Sequence, residues 1–250
     1  MDLMTGLAII CLLMVAVAFS PLGLGGGILY VPIMHYMLDW EIKEAIVASL
    51  TLVLMVSLGS SLAHSKSGHA DQRVAKWGRI AAVPSATIGV LLSGVLLSLV
   101  GDIGIKILAA LVITFVLERT IRKSVAHTVE YTEEQLLEKR NQYLAGSSSA
   151  GIAAGILGIG GGAILVTLNR SMLKMDAKKA AGTSYLVTAT IVPVALLSHL
   201  VINQNLDVIV DNSGIFAIVL VPLMVFSSAF LGAKYAIKYL PKQVVTGVFL

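Results

Sequence analysis

An all-α polytopic membrane protein is the fold class this 250-residue sequence predicts. It would be built from two inverted repeats, each a Gly-rich re-entrant or broken helix hairpin followed by three transmembrane helices. Three observations predict it: long apolar runs, a self-match at an offset of 135 residues, and the sorting of Lys and Arg between the runs. Hydrophobic residues make up 57% of the chain and charged ones 13%, against about 45–50% and about 25% in soluble domains. A water-soluble fold could not hide this much apolar surface. The net charge of +4 would suggest nucleic acid in a soluble chain. Here the basic residues fall between apolar runs, where the lipid bilayer explains them and no nucleic-acid partner is implied.

The first run, 3–20, is long enough to cross a hydrocarbon core about 30 Å thick, and 28–38 follows it closely. One continuous helix over 3–38 would be about 54 Å long, too long for a single crossing. Pro21 and the glycines at 23 and 25–27 mark the break; two complete crossings are the alternative. Runs at 45–63, 80–100 and 103–117 complete the first half. The stretch from Glu118 to Gln142 is rich in charge and reads as a solvated helical linker. The second half has runs at 143–157, 162–173, 180–202, 214–233 and 243–250. The last is too short to span. Either the chain ends mid-membrane, or a partner subunit supports that helix in a homo-oligomer. The predicted units are therefore 1–118, the linker 119–142, and 143–250. Cys11, the one cysteine, lies inside an apolar run and reads as a packing residue. No Lys or Arg precedes the first run, so it lacks the charged start of a cleavable signal peptide.

The halves match at several points in one register. Leu22 to Gly27 with Val31 corresponds to Leu157 to Gly162 with Val166, and the same offset carries Ala45 onto Ala180, Ser49 onto Ser184 and His64 onto His199. After a three-residue shift, Pro84 and Gly94 map onto Pro222 and Gly232. Topology follows from charge. If each glycine segment crosses once, the 18 Lys and Arg divide evenly between the two sides, a poor result for a membrane protein. If each glycine segment enters and leaves on one side, only Lys43 and Lys106 are left on the sparse side. That arrangement inverts the repeats, a recurring design of secondary transporters. It puts the N-terminus outside and the linker in the cytoplasm.

The glycine runs are the first candidates for chemistry. Irregular backbone at membrane depth is tolerated only where it is buried in protein or lines a cavity. Helices starting just after the runs would aim free N–H groups and the positive ends of their dipoles at mid-membrane, which makes an anion site without Arg or Lys. The candidate substrate residues are Gly25, Gly26 and Gly27 with Gly160, Gly161 and Gly162. The bland alternative is close helix packing, and Ser147, Gly151 and Gly155 are read that way. The run at 158–163 also has the letters of a dinucleotide fingerprint, but no strand or βαβ unit surrounds it, so no such cofactor is implied. There is no phosphate-loop GK[ST] and hence no sign of an ATP motor.

Hydroxyls come next. Ser49, Thr51, Thr183, Ser184 and Thr188 follow the glycine runs by about one span. Ser49 and Ser184 are repeat-matched; they either face the substrate or bond back to their own helices. His64 and His199 are also repeat-matched. They read either as carriers of a coupled proton or as interfacial side chains reaching headgroup or water. No metal-ligand cluster and no paired intramembrane carboxylates suggest an enzyme.

These features resemble the sulfite exporter TauE/SafE family of membrane permeases. Gly23 to Pro32 carries the resemblance, together with Gly151, Gly155, Gly158, Gly160, Gly161, Gly162 and Val166. Thr167 stands where the family pattern has a proline, matched by Pro32 in the first half. The resemblance covers nearly the whole chain. It implies transport of small anions, typically sulfur oxyanions, organosulfonates and related carboxylates. The residues alone give only a duplicated, anion-friendly membrane site; together with the resemblance, the leading reading is a secondary transporter of the cell membrane. An anion channel with the same site, or a non-transporting membrane subunit, are the alternatives.

Overall fold

A computed structural model describes residues 3–124, 131–203, 210 and 215–239. Among these the protein is all-helical, with no strand. Helix α1 (Leu3–Phe19) turns through the first glycine run into α2 (Gly27–Met37), and α3 (Ile42–Lys66) follows. α4 (Gln72–Ser124) leads to the short α5 (Glu133–Glu138) in the linker. α6 (Arg140–Leu157) turns through the second glycine run into α7 (Gly162–Ser171), and α8 (Ala177–Asn203) and α9 (Ile215–Tyr239) complete the described chain. The predicted run at 243–250, with its short final helix, lies outside the described residues.

Each boundary has a local cause. α3 starts at a capping box of Glu41 and Glu44, and α5 at one of Thr132 and Gln135. α4 bends at Gly101 (φ 67°, ψ −163°), a backbone region open essentially to glycine alone. The bend falls between the two runs predicted at 80–100 and 103–117 and gives α4 two arms. α2 and α7 have 11 and 10 residues, about 15–16 Å of helix. Neither is long enough to cross a core of about 30 Å. Among the described residues four stretches are long and apolar enough to cross: Ile42–Lys66, Gln72–Phe115, Ala177–Ile202 and Ala217–Tyr239.

Polarity is distributed inside-out, as a lipid surround requires. Leu99, Val201 and Leu223 are well exposed, while Ser49, Ser57, Ser60, His64, Thr183, Ser184, Thr188 and His199 are buried. α6 lies directly on the 72–100 arm of α4. Gly151 and Gly155 face the carbonyls of Ala82 and Ala86, and Gly89 faces that of Ile152, with no room for a side chain at any of the three. This is the close approach that small-residue spacing permits. α1 meets α9 at Gly232, where an added Cβ would lie 2.6 Å from Ser20 Oγ and 2.9 Å from Val17 O. Tyr36, at the end of α2, lies under the Lys106 ammonium at 5.6 Å, so the α2 C-terminus and the Gly101 bend share one end of the bundle. Arg73, paired with Glu133 at 3.2 Å, sits at the far end of the same α4 arm.

Candidate functional site

The two glycine runs form the same turn. Gly23, Gly25 and Gly26 have φ of 83°, 78° and 83°; Gly158, Gly160 and Gly161 have 69°, 73° and 71°. Three left-handed residues in this order are why the sequence uses glycine here: an L side chain costs roughly 1–2 kcal/mol in that conformation. Gly26 and Gly161 are the N-caps of α2 and α7, and neither helix start has a side-chain cap. In α2 Leu29 N already donates to Gly26 O at 3.0 Å; the N–H groups ahead of it, and those opening α7, precede the first i→i−4 bonds of their helices. Thr167, in place of the expected proline, donates its hydroxyl to Ala163 O at 2.8 Å and leaves the turn unaltered.

The turns pack against each other through reciprocal contacts. A Cβ on Gly27 would lie 2.5 Å from Ile159 Cα, and one on Gly162 would lie 3.1 Å from Leu24 O. Leu24 and Ile159 are themselves 135 residues apart. Gly23 abuts Ala181 and Gly158 abuts Ile46, again the same offset. Ser49 Oγ donates to Gly158 O at 2.9 Å. Ser184 Oγ lies 3.1 Å from Gly23 O and 3.0 Å from Gly162 O and shares its single proton between them. Each half thus braces the other half's turn.

The six candidate glycines and both serines are therefore gathered into one buried cluster. In this conformation the serine protons are spent on carbonyls rather than on a ligand. The histidines lie at the periphery of the cluster. His64 Nε2 donates to Ser20 O at 3.4 Å and His199 Nε2 to Gly155 O at 2.7 Å, partners that are again 135 apart. Their exposures are 0% and 2%, so the interfacial reading is corrected: neither reaches headgroup or water. Of the other hydroxyls, Thr51 bonds back to Val47 O, and Thr183 accepts from Asp71 N at 2.9 Å.

Sequence reasoning missed two tyrosines. Tyr185 Oη donates to Phe19 O at 2.6 Å and accepts from Gly25 N at 3.4 Å, tying α8 to the first turn. Tyr30 is fully buried one helical turn beyond Gly26. Its hydroxyl lies where a Gly26 Cβ would come within 2.9 Å and has no hydrogen-bond partner. The hydroxyl of Thr188, beside Gly160, is buried and unpartnered as well. An aromatic hydroxyl at four residues past a helix N-cap was the available signal, since that spacing returns it to the capped end. Among the described residues no group of three or more His, Cys, Asp or Glu could hold a metal ion.

Chemically, two uncapped helix starts meet beside two unpartnered hydroxyls, in a cluster without a carboxylate. Such a place favours negative charge and offers donors to oxygen atoms.

Comparison with known proteins points to a membrane transporter. A protein of Methanocaldococcus jannaschii described as a probable membrane transporter is 25% identical over 257 residues, covering 96% of this chain and 90% of the relative. No solved structure matches the chain. The profile of the sulfite exporter TauE/SafE family matches residues 8–250. The chain belongs to the sulfite exporter TauE/SafE family of membrane transporters.

Proposed function

We propose that the protein is a secondary transporter that moves a small anion across the cytoplasmic membrane by alternating access. The anion binds between the turn at Gly25–Gly27 and the turn at Gly160–Gly162. The observation that carries this reading is the reciprocal packing of the two turns, which brings two uncapped helix N-termini together. The N–H groups of both helix starts supply the main donors, and Tyr30 and Thr188 add hydroxyls. Ser49 and Ser184 hold each turn from the opposite half and release it when the halves rock. The repeats 1–118 and 143–250 are inverted about the turns, with 119–142 cytoplasmic and the N-terminus outside. The grouping of Tyr36 with Lys106 at one end, and of Arg73, Arg140 and Lys179 about α4 and α8 at the other, supports that orientation. The substrate class is a sulfur oxyanion or organosulfonate, on the strength of the family's description. His64 and His199 are the candidates for a coupled proton. Their carbonyl bonds at the ends of α1 and α6 connect any protonation to the hairpins.

The test is thermal unfolding of the purified protein in detergent with sulfite, sulfate, thiosulfate, taurine and sulfoacetate. A ligand that binds only the folded state raises the melting temperature by mass action. One of these anions is expected to do so, and Gly26→Val and Gly161→Val are expected to lose the shift. A shift retained in both variants would remove the turns from the site.

A further inference from the structure

Two cavities border the first hairpin, and they differ in charge. One, of about 430 Å³, lies between α1, α2, α3 and the start of α9, and its one ionisable lining residue is the carboxylate Asp39. The other, of about 190 Å³, lies between α2 and the second arm of α4. Its ionisable lining residues are His35, Tyr36 and Lys106, with no carboxylate. The second cavity also reaches the turns, since Gly27 and Ile159 form part of its wall; the first reaches neither turn. At its outer end His35 is held by Nδ1–H donated to Trp40 O at 2.7 Å, and the Lys106 ammonium rests over the Tyr36 ring. Among the described residues no carboxylate lies within ion-pair distance of that ammonium. The volume falls below the roughly 300–1,000 Å³ of pockets that take drug-sized ligands and suits a small ion.

We infer that this smaller cavity is the vestibule through which the anion reaches the glycine turns, and that Lys106 is the residue that draws it in. The inference rests on the carrier reading above for the destination of the anion, but not for the character of the cavity. A single cation on a low-dielectric wall concentrates counter-ions and repels cations. The larger cavity, carrying Asp39, does the opposite. Lys43 and Lys106 are the two basic residues of that membrane face under the proposed topology, so Lys106 has little competition for an incoming anion. Gly101 places it there: the bend returns the chain beside α2 rather than away from it.

The experiment uses the full chain in intact cells, with Cys11→Ala removing the native thiol. Ala109→Cys and Val31→Cys then put a thiol on either wall of the vestibule. Each is exposed to membrane-impermeant methanethiosulfonates carrying either a sulfonate or a trimethylammonium group. Both thiols are expected to react from outside. The ratio of anionic to cationic rates should fall about tenfold on Lys106→Gln and be retained in Lys106→Arg. Thiols that do not react from outside, or a ratio unmoved by Lys106→Gln, would overturn the vestibule. Sulfite uptake is measured in the same cells, where Lys106→Gln should raise KM and leave kcat. A charge-selective cavity in a protein that neither binds nor moves any of the anions would sink the carrier reading and, with it, the cavity's role as the anion's route, leaving only its charge selectivity.

Discussion

The hairpin α1–α2 and the hairpin α6–α7 carry the same turn, yet they are held differently. α6 presses on α4 at three levels, where Gly151, Gly155 and Gly89 leave backbone against backbone. α1 meets α9 closely at Gly232, and its own Gly6 has open space around it. Both cavities border α2; α7 lines neither. α7 is buried along most of its length, whereas α2 is buried chiefly at Gly27, Tyr30 and Met34. The two halves share the turn, which the anion would contact on the proposed reading, and differ in its surroundings. The second hairpin is framework. The first is flanked by open volume, and on the proposed carrier reading it is the one that shifts when the halves rock.

The comparison breaks most readily at the helix contacts. Gly155→Val would drive a branched side chain into Ala86 O and Val90 N, both backbone atoms that cannot step aside. Overpacking costs about 1–3 kcal/mol even where neighbours can move, so this variant should give no monodisperse protein in detergent. Gly6→Val in α1 meets nothing within 4 Å and should leave the melting temperature within the change from about 0.5 kcal/mol. Similar losses from both would refute the division into framework and mobile hairpin.

Within the turns the expected differences are smaller. Gly161→Ala and Gly26→Ala each carry the left-handed penalty of roughly 1–2 kcal/mol. Gly161 adds a Cβ at 2.6 Å from Ala150 O, a backbone atom, whereas Gly26 adds one against the Tyr30 ring, which can rotate away. Thermal unfolding should therefore rank Gly161→Ala as the more damaging. The serines rank in the same way. Ser184 serves both turns and Ser49 serves one. Hydrogen bonds inside membrane proteins are worth about 0.6 kcal/mol on average and about 1.7 at most. Ser184→Ala should fall toward the upper figure and Ser49→Ala toward the lower. A Ser49→Ala loss equal to that of Ser184→Ala would show the two braces to be equivalent.

Much of this was legible in the sequence, for physical reasons that differ by element. The helices were readable because lipid demands long apolar runs, and Gly101 separates two of them at the position where the helix bends. The turns were readable because three left-handed residues within four positions demand glycine. The partners of Ser49, Ser184, His64 and His199 were not. A side chain's choice among carbonyls depends on which helix lies opposite, and the offset of 135 alone does not say that Ser49 reaches Gly158 rather than Gly23. The interfacial reading of the histidines failed for the same reason: position along a helix gives depth in the membrane but not which face is covered. Tyr30 was hidden because it has no counterpart in the second half, where Leu165 stands. A search guided by the repeat passes over what only one copy has.

Tyr30 is also where the smallest effect on stability should accompany a clear effect on binding. Its hydroxyl is buried without a partner, and a buried donor left unsatisfied costs about 1–3 kcal/mol. A purely structural tyrosine at this position would be hard to account for, since phenylalanine would pack as well without that cost. Tyr30→Phe should therefore keep or raise the melting temperature of the empty protein. If the hydroxyl donates to a bound anion, the same change removes a hydrogen bond to a charged group, worth about 1.5–3 kcal/mol. The anion concentration needed for half the thermal shift should then rise at least about tenfold. Thr188→Val, on the side of the second turn, should behave alike but more weakly, because a threonine hydroxyl can also fall back on its own helix carbonyl. A Tyr30→Phe protein that is destabilised when empty, and binds the anion as before, would place the hydroxyl in the fold rather than in the site. The binding asymmetry between the hairpins would then rest on the backbone turns alone.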